Sequence, residues 1–140
     1  MYQRVGYTGA FNEIVTPFLP IEFKPDYGYR IVNLTDAQVA DVHPFLGNKI
    51  PGDWQSVRII AIKPTGLIHL HRDPLPDGKK KALRYHVVLV TNPYSWKLHD
   101  GVMQRLELGG IYTMDEMLEH ASVNWGVDAT VNLVIDSVPR

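Results

Sequence analysis

The sequence predicts a mainly β domain closed into a sandwich or barrel such as a jelly roll. Three observations carry this. Short β-branched and aromatic runs recur from residue 57 to residue 138. Clusters of Gly, Pro, Asn and Asp punctuate them at turn spacing. Helical periodicity is too thin to cover both faces of a doubly wound sheet.

In chain order, the first third is rich in Pro, Gly and aromatics (Pro17, Pro20, Pro25, Gly28) and reads as short strands and turns. One helix is expected over 35–46, capped by Thr35 or Asp36, with Val39, Val42 and Leu46 at helical spacing and Pro44 disturbing its end. Residues 57–62 form a β-branched strand that ends at the turn Lys63-Pro64-Thr65-Gly66, and a second strand covers 67–73. A Pro/Gly/Lys-rich loop follows at 74–81, then a strand at 82–90, a turn at Thr91-Asn92-Pro93 and a short strand at 95–98. His99-Asp100-Gly101 reads as a tight hairpin turn. Strands are expected at 102–108 and 111–114, a helical turn at 115–120, and a closing strand at 130–138. Period-two alternation puts Leu83, Tyr85, Val87 and Leu89, with Val131, Leu133 and Ile135, on the core side.

Length and composition narrow the function classes. The chain has 140 residues, which suits one domain spanning 1–140. With 45% hydrophobic and 21% charged residues it is ordinary globular rather than disordered. A formal net charge of −1 offers no basic surface for nucleic acid or an anionic membrane. No apolar run reaches the ~20 residues needed to span a bilayer. The start, MYQRVGYTGAFNEIV, lacks the apolar stretch of a signal peptide, so a cytoplasmic protein is expected. Because there is no cysteine, any metal is held by His, Asp or Glu.

The strongest local signal is His69-Leu70-His71-Arg72-Asp73. Alternation along a strand turns His69, His71 and Asp73 to one face and Leu70 and Arg72 to the other. His71 and Asp73 are then placed to grip adjacent positions on a metal, and His120 from another strand completes a triangular face. Two His and one carboxylate leave three positions open, the arrangement of non-haem ferrous oxygenases. The same residues also fit a bland reading: an exposed His71–Asp73 ion pair at a strand end, a surface His120, and a His69 that supports His71 or packs inside. Residues 82–89 place Arg84 and His86 on the face opposite the apolar one. Either they look into a cavity, where a buried Arg requires an anion, or they stay in water.

The chain resembles the aspartyl/asparaginyl β-hydroxylase-like 2-oxoglutarate/Fe(II) oxygenases over roughly residues 57–136. The landmarks are His71-x-Asp73, Leu83-Arg84-x-His86, Trp96 with Asp100-Gly101, residues 109–114 before His120, Asn124, and Leu133-Val134-Ile135-Asp136. The resemblance implies a double-stranded β-helix of cupin-like type. It makes His71, Asp73 and His120 the Fe(II) ligands and catalytic centre, and gives Arg84 and His86 contacts to 2-oxoglutarate. The implied reaction couples oxidative decarboxylation of 2-oxoglutarate to hydroxylation of an Asp, Asn or Pro side chain, in a small molecule or a peptide. One departure matters. The family carries an Arg ten residues after the distal His, to pair with the far carboxylate of 2-oxoglutarate, and here that position is Thr130, with Asn132 beside it on the same face. Thr130 and Asn132 are thus the co-substrate positions on the last strand. Either another cation substitutes, or the co-substrate differs, or turnover is lost. The last two outcomes describe a differently metallated or non-catalytic jelly-roll binding domain.

Overall fold

In the computed structural model, which describes residues 1–75, 78 and 80–140, the β-branched runs form strands and the Gly/Pro clusters turn the chain. The order is β1 (Gln3–Tyr7), α1 (Phe11–Val15) with a 3-10 turn at Thr16–Phe18, β2 (Tyr29–Asn33), α2 (Asp36–Leu46), β3 (Asp53–Ile62), β4 (Leu67–His71) and β5 (Leu83–Val90). Then come β6 (Ser95–His99), β7 (Val102–Gln104), β8 (Gly110–Met114), β9 (His120–Asn124) and β10 (Thr130–Val138). They make a jelly roll of two antiparallel sheets, six strands ordered β1-β8-β5-β10-β3-β2 facing four ordered β4-β9-β6-β7.

Helix α2 shows the link from sequence to local structure. Thr35 and Gln38 form a reciprocal capping box, each side chain bonded to the other's backbone N–H. The helix runs through Pro44 to Leu46, since a proline this near the C-terminus disrupts little of the ladder. Its buried Val42 and Leu46 pack with Ile14 and Val15 of α1 against Tyr85, Val87 and Leu89 of β5 and Val131, Leu133 and Ile135 of β10. The main apolar core therefore lies on the outer face of the large sheet, under the helices. The face between the two sheets is left to other side chains. Leu83, expected in the core, is instead 41% exposed, because it sits at the start of β5 opposite Ser137, where the pairing ends.

Other boundaries differ from expectation for local reasons. The turn His99-Asp100-Gly101 forms as expected, with φ of 48° at Asp100 and 79° at Gly101, the two positive values a two-residue hairpin needs. The strand expected over 102–108 stops at Gln104, whose side chain leaves the ladder's service to bind both backbone groups of Tyr2. No helix forms at 115–120. Asp115 closes one turn by accepting from the Met117 N–H, and His120 opens β9, the strand for which the sequence reading gave no bounds. The expected loop at 74–81 falls partly outside the described residues, at 76, 77 and 79. Among the described residues no helix is long and apolar enough to cross a membrane.

Candidate metal centre

Two strands and one loop position the centre. His71 ends β4 and His120 begins β9, and the two are cross-strand partners whose rings lie 4.2 Å apart. Register between β4 and β9 slips between Ile68 and His71, so period two breaks there and His69 sits exposed on the slipped stretch. It still borders the cavity, and its carbonyl oxygen lies 2.7 Å from His71 Nδ1. Asp73, two residues past His71, is fixed by its N–H donating to the Glu116 carbonyl at 2.9 Å. His71, Asp73 and His120 each offer a ligand atom within 4.8 Å of the others.

The tautomers follow from elementary donor logic. A carbonyl oxygen only accepts, so Nδ1 of His71 and Nδ1 of His120, the latter 2.8 Å from the Leu118 carbonyl, both carry protons. Both Nε2 atoms are thereby turned on Asp73, His71 Nε2 3.4 Å from Oδ1 and His120 Nε2 3.4 Å from Oδ2. A lone pair facing a carboxylate at that distance is repelled unless a cation lies between them, either a second proton or a metal. Ligand atoms ~2.0–2.2 Å from an ion stand about 3–3.5 Å from one another, so the spacing matches a shared ion. The backbone acceptors on Nδ1 are the outer contacts that orient metal-binding imidazoles.

Charge around Asp73 is equally organised. Its carboxyl is held well below the ordinary range, first by the hydrogen bond to His120 and, against the opposing cost of burial, by Arg84. Arg84 donates from Nη1 to Asp73 Oδ2 at 2.6 Å and from Nε and Nη2 to Asp136 at 2.8 and 3.2 Å. Arg58 shares Asp136 at 3.3 Å. The anion that Arg84 requires is thus supplied by the chain itself, and Oδ1 of Asp73 stays clear of the guanidinium.

The triad opens on a cavity of about 500 Å³ between the sheets, within the usual range of small-molecule sites. Arg84, His86 and Asn132 line it, as does Arg58, while Thr130 is buried and does not. Two of the lining residues that sequence reasoning missed bear on the cavity's chemistry. One is Lys97, because Ser95, Lys97 and His99 alternate with Trp96 and Leu98, a pattern that ordinarily sends the lysine to water. The other is Tyr2, delivered by the Gln104 clamp.

His86 is buried, and its Nδ1 accepts from Asn132 Nδ2 at 3.3 Å. Burial, then nearby Lys97, pushes its pKa well below the usual value, so it is neutral in the folded protein. Unfolded, it titrates near ~6.5. Between the two values the unfolded chain binds the extra proton, so this contribution to stability is lost as pH falls below ~6.5. In metal-free protein, unfolding free energies from urea denaturation between pH 8 and pH 5 should fall by at most about 1.4 kcal/mol per pH unit more for wild type than for His86→Gln. Parallel curves would contradict a neutral His86.

No family model matches the sequence, and no curated protein matches it. Solved structures do match in shape. A 2OG-Fe(II) oxygenase family oxidoreductase from Burkholderia pseudomallei superposes with a TM-score of 0.61 at 11% identity, covering 90% of this chain and 76% of that one. The cupin domain of an XRE family transcriptional regulator from Enterobacter cloacae gives 0.54 at 14% identity, covering 81% and 99%. A predicted oxalate decarboxylase from Thermotoga maritima gives 0.53 at 12% identity, covering 79% and 80%. At these identities the likeness shows the fold, that of cupin domains and of a 2-oxoglutarate/Fe(II) oxygenase. It does not show the aspartyl/asparaginyl hydroxylase-like family.

Proposed function

We propose that the protein is a non-haem Fe(II)- and 2-oxoglutarate-dependent dioxygenase that hydroxylates an amino-acid-type substrate, an Asp, Asn or Pro side chain, free or in a peptide. The observation that carries the proposal is that His71, Asp73 and His120 each offer a ligand atom within 4.8 Å of the others, with both Nε2 atoms 3.4 Å from the Asp73 carboxylate, beside a small-molecule-sized cavity. This nitrogen and oxygen donor set fits Fe(II), and three ligands on one side leave positions for small molecules. Bound there, the iron would supply dioxygen activation at an unreactive C–H bond.

The chain's own residues do the rest. His71, Asp73 and His120 hold the ion. Arg84 occupies Oδ2 of Asp73 and so presents Oδ1. His86 and Asn132 offer neutral hydrogen-bonding groups, while Ile60, Ile68 and Val134 give the same cavity apolar walls. The likeness to a 2OG-Fe(II) oxygenase family protein supports this reading. The likeness to cupin domains and to a predicted oxalate decarboxylase, together with Thr130, favours a second one, a cupin with another metal or no turnover.

The test is anaerobic reconstitution with Fe(II) and ascorbate, addition of 2-oxoglutarate and dioxygen, and quantification of succinate. Wild type should form succinate slowly even without a second substrate, and Asp73→Ala should form none. Iron-loaded wild type that leaves 2-oxoglutarate intact would move the assignment to the second reading.

A further inference from the structure

The small sheet is built with its apolar face outward. On β6 and β9 the buried positions are Ser95, Lys97, His99, His120 and Asn124, all polar and at period two. Trp96, Leu98, Ala121 and Val123 alternate with them and stand on the opposite face. Among the described residues, no apolar side chain of β4, β6, β7 or β9 is buried. The main core lies instead on the outer side of the large sheet, where both helices pack. A sheet with one apolar face is stable when that face meets another layer. Among the described residues no helix or strand of this chain covers the outer face of the small sheet.

Register gives this face a definite layout. Val123 pairs with Leu67 on one side and Trp96 on the other, and Leu98 pairs with Ala121 and Met103. Two uncharged cross-strand rows result, Leu67–Val123–Trp96 and Ala121–Leu98–Met103, two residues apart along the strands. They border a shallow groove of about 230 Å³, and Leu67 and Met103 are 54% and 52% exposed. Single exposed apolar residues are ordinary on a monomer, whereas a contiguous patch marks an interaction site. Charge appears at the two ends of one edge. Arg105, just after β7, holds its guanidinium 5.4 Å from the centre of the Trp96 ring. Asp100 lies in the β6–β7 turn, four residues from Trp96, or about 13 Å along the strand. Among the described residues neither forms an ion pair.

We propose that the outer face of the small sheet joins a second copy of this chain about a two-fold axis lying across the strands. Such an axis reverses strand direction, so each row stacks on the other row of the second copy. Trp96 then lies over the partner's Leu98, and Val123 over the partner's Ala121, large against smaller. The same axis brings the Arg105 end of each copy over the Asp100 end of the other, and symmetry makes this contact twice. That charge complementarity favours a second copy over an unrelated apolar partner. The rows cover a footprint of roughly 19 by 17 Å, below the ~800 Å² that each partner of a standard interface buries. Tyr94 and Trp125, 62% and 69% exposed beside the start of β6 and joined by a 3.1 Å backbone hydrogen bond, extend it. An interface of this size gives a dissociation constant of about 1–100 μM. The inference does not depend on what the cavity binds.

The experiment is sedimentation equilibrium of the full chain from about 1 to 300 μM, a range set to bracket that constant. Wild type should pass from the 15.9 kDa monomer to a species of twice that mass. Leu98→Lys places two ammonium groups in the apolar centre of the dimer and should stay monomeric throughout, a loss of at least about 30-fold. Arg105→Glu turns both end contacts from attractive to repulsive and should weaken association at least about tenfold. Val5→Lys, at a position on β1 of the large sheet that is 54% exposed, should associate as wild type does. Far-UV circular dichroism checks folding, and Met103→Lys replaces Leu98→Lys if the latter fails to fold. Wild type that is monomeric at the highest concentration overturns the proposal. A dimer that survives the lysine in the rows, or one that Val5→Lys dissolves, places the contact on another surface and overturns it as well. Unchanged association of Arg105→Glu overturns the two-fold arrangement.

Discussion

Asp136→Asn is expected to lower the unfolding free energy by about 3–5 kcal/mol, the cost of leaving buried charge uncompensated. Asp136 receives Arg84 Nε at 2.8 Å and Arg58 Nη1 at 3.3 Å, with all three side chains no more than 13% exposed. Burial already disfavours the charge on Arg58, and Asp136 is the first group that counters it after the repulsion from Arg84. Asparagine keeps the shape and removes the charge, so both guanidinium ions would share Asp73 alone. Urea denaturation at pH 7.5 in metal-free protein measures the loss. A change below about 1 kcal/mol would mean that water reaches this cluster and that it contributes as a surface pair does. Replacing Asp136 by Leu together with Arg58 by Met should recover part of the loss, because fewer charges are then left inside.

The second large effect is on metal affinity. Asp73→Ala and His120→Ala should each weaken Mn(II) or Fe(II) binding by at least about 100-fold, ~2.7 kcal/mol or more. Each removes one of three ligand atoms from a site that has no spare donor among the described residues. Asp73→Ala should stay folded, since Arg84 retains its two bonds to Asp136. Electron paramagnetic resonance of free Mn(II) during titration gives the affinities, and the denaturation midpoint gives the folding control. Wild-type affinity in either variant would place the ion elsewhere.

Much of this arrangement was legible in the sequence, and the failures have physical causes. Strand alternation from residue 82 to 90 and from 130 to 138 correctly divided the apolar face from the face carrying Arg84, His86 and Asn132. Local chemistry likewise predicted the Thr35 cap and the Asp100-Gly101 hairpin. Alternation failed where a strand runs out, as at Leu83. It also misleads at Lys97. A period-two pattern states which residues share a face and leaves open which face is wet. In this fold the small sheet turns Trp96 and Leu98 outward and buries the lysine. Arg84 was identified as a cavity residue, whereas its partners Asp73 and Asp136 are 11 and 52 residues away and only tertiary structure shows them engaged. His120 is the hardest case. No local pattern marks Leu118-Glu119-His120 as a strand start, and its place is set by pairing with His71 on one side and His99 on the other.

The central claim is that His71, Asp73 and His120 share one metal ion. Anomalous diffraction at the iron edge, from crystals loaded anaerobically with Fe(II), tests it most directly. One peak is expected ~2.0–2.2 Å from Nε2 of His71, Nε2 of His120 and Oδ1 of Asp73, with the cavity on its open side. Iron bound at other residues, with His120 Nε2 still 3.4 Å from Asp73 Oδ2 and nothing between them, would contradict the account.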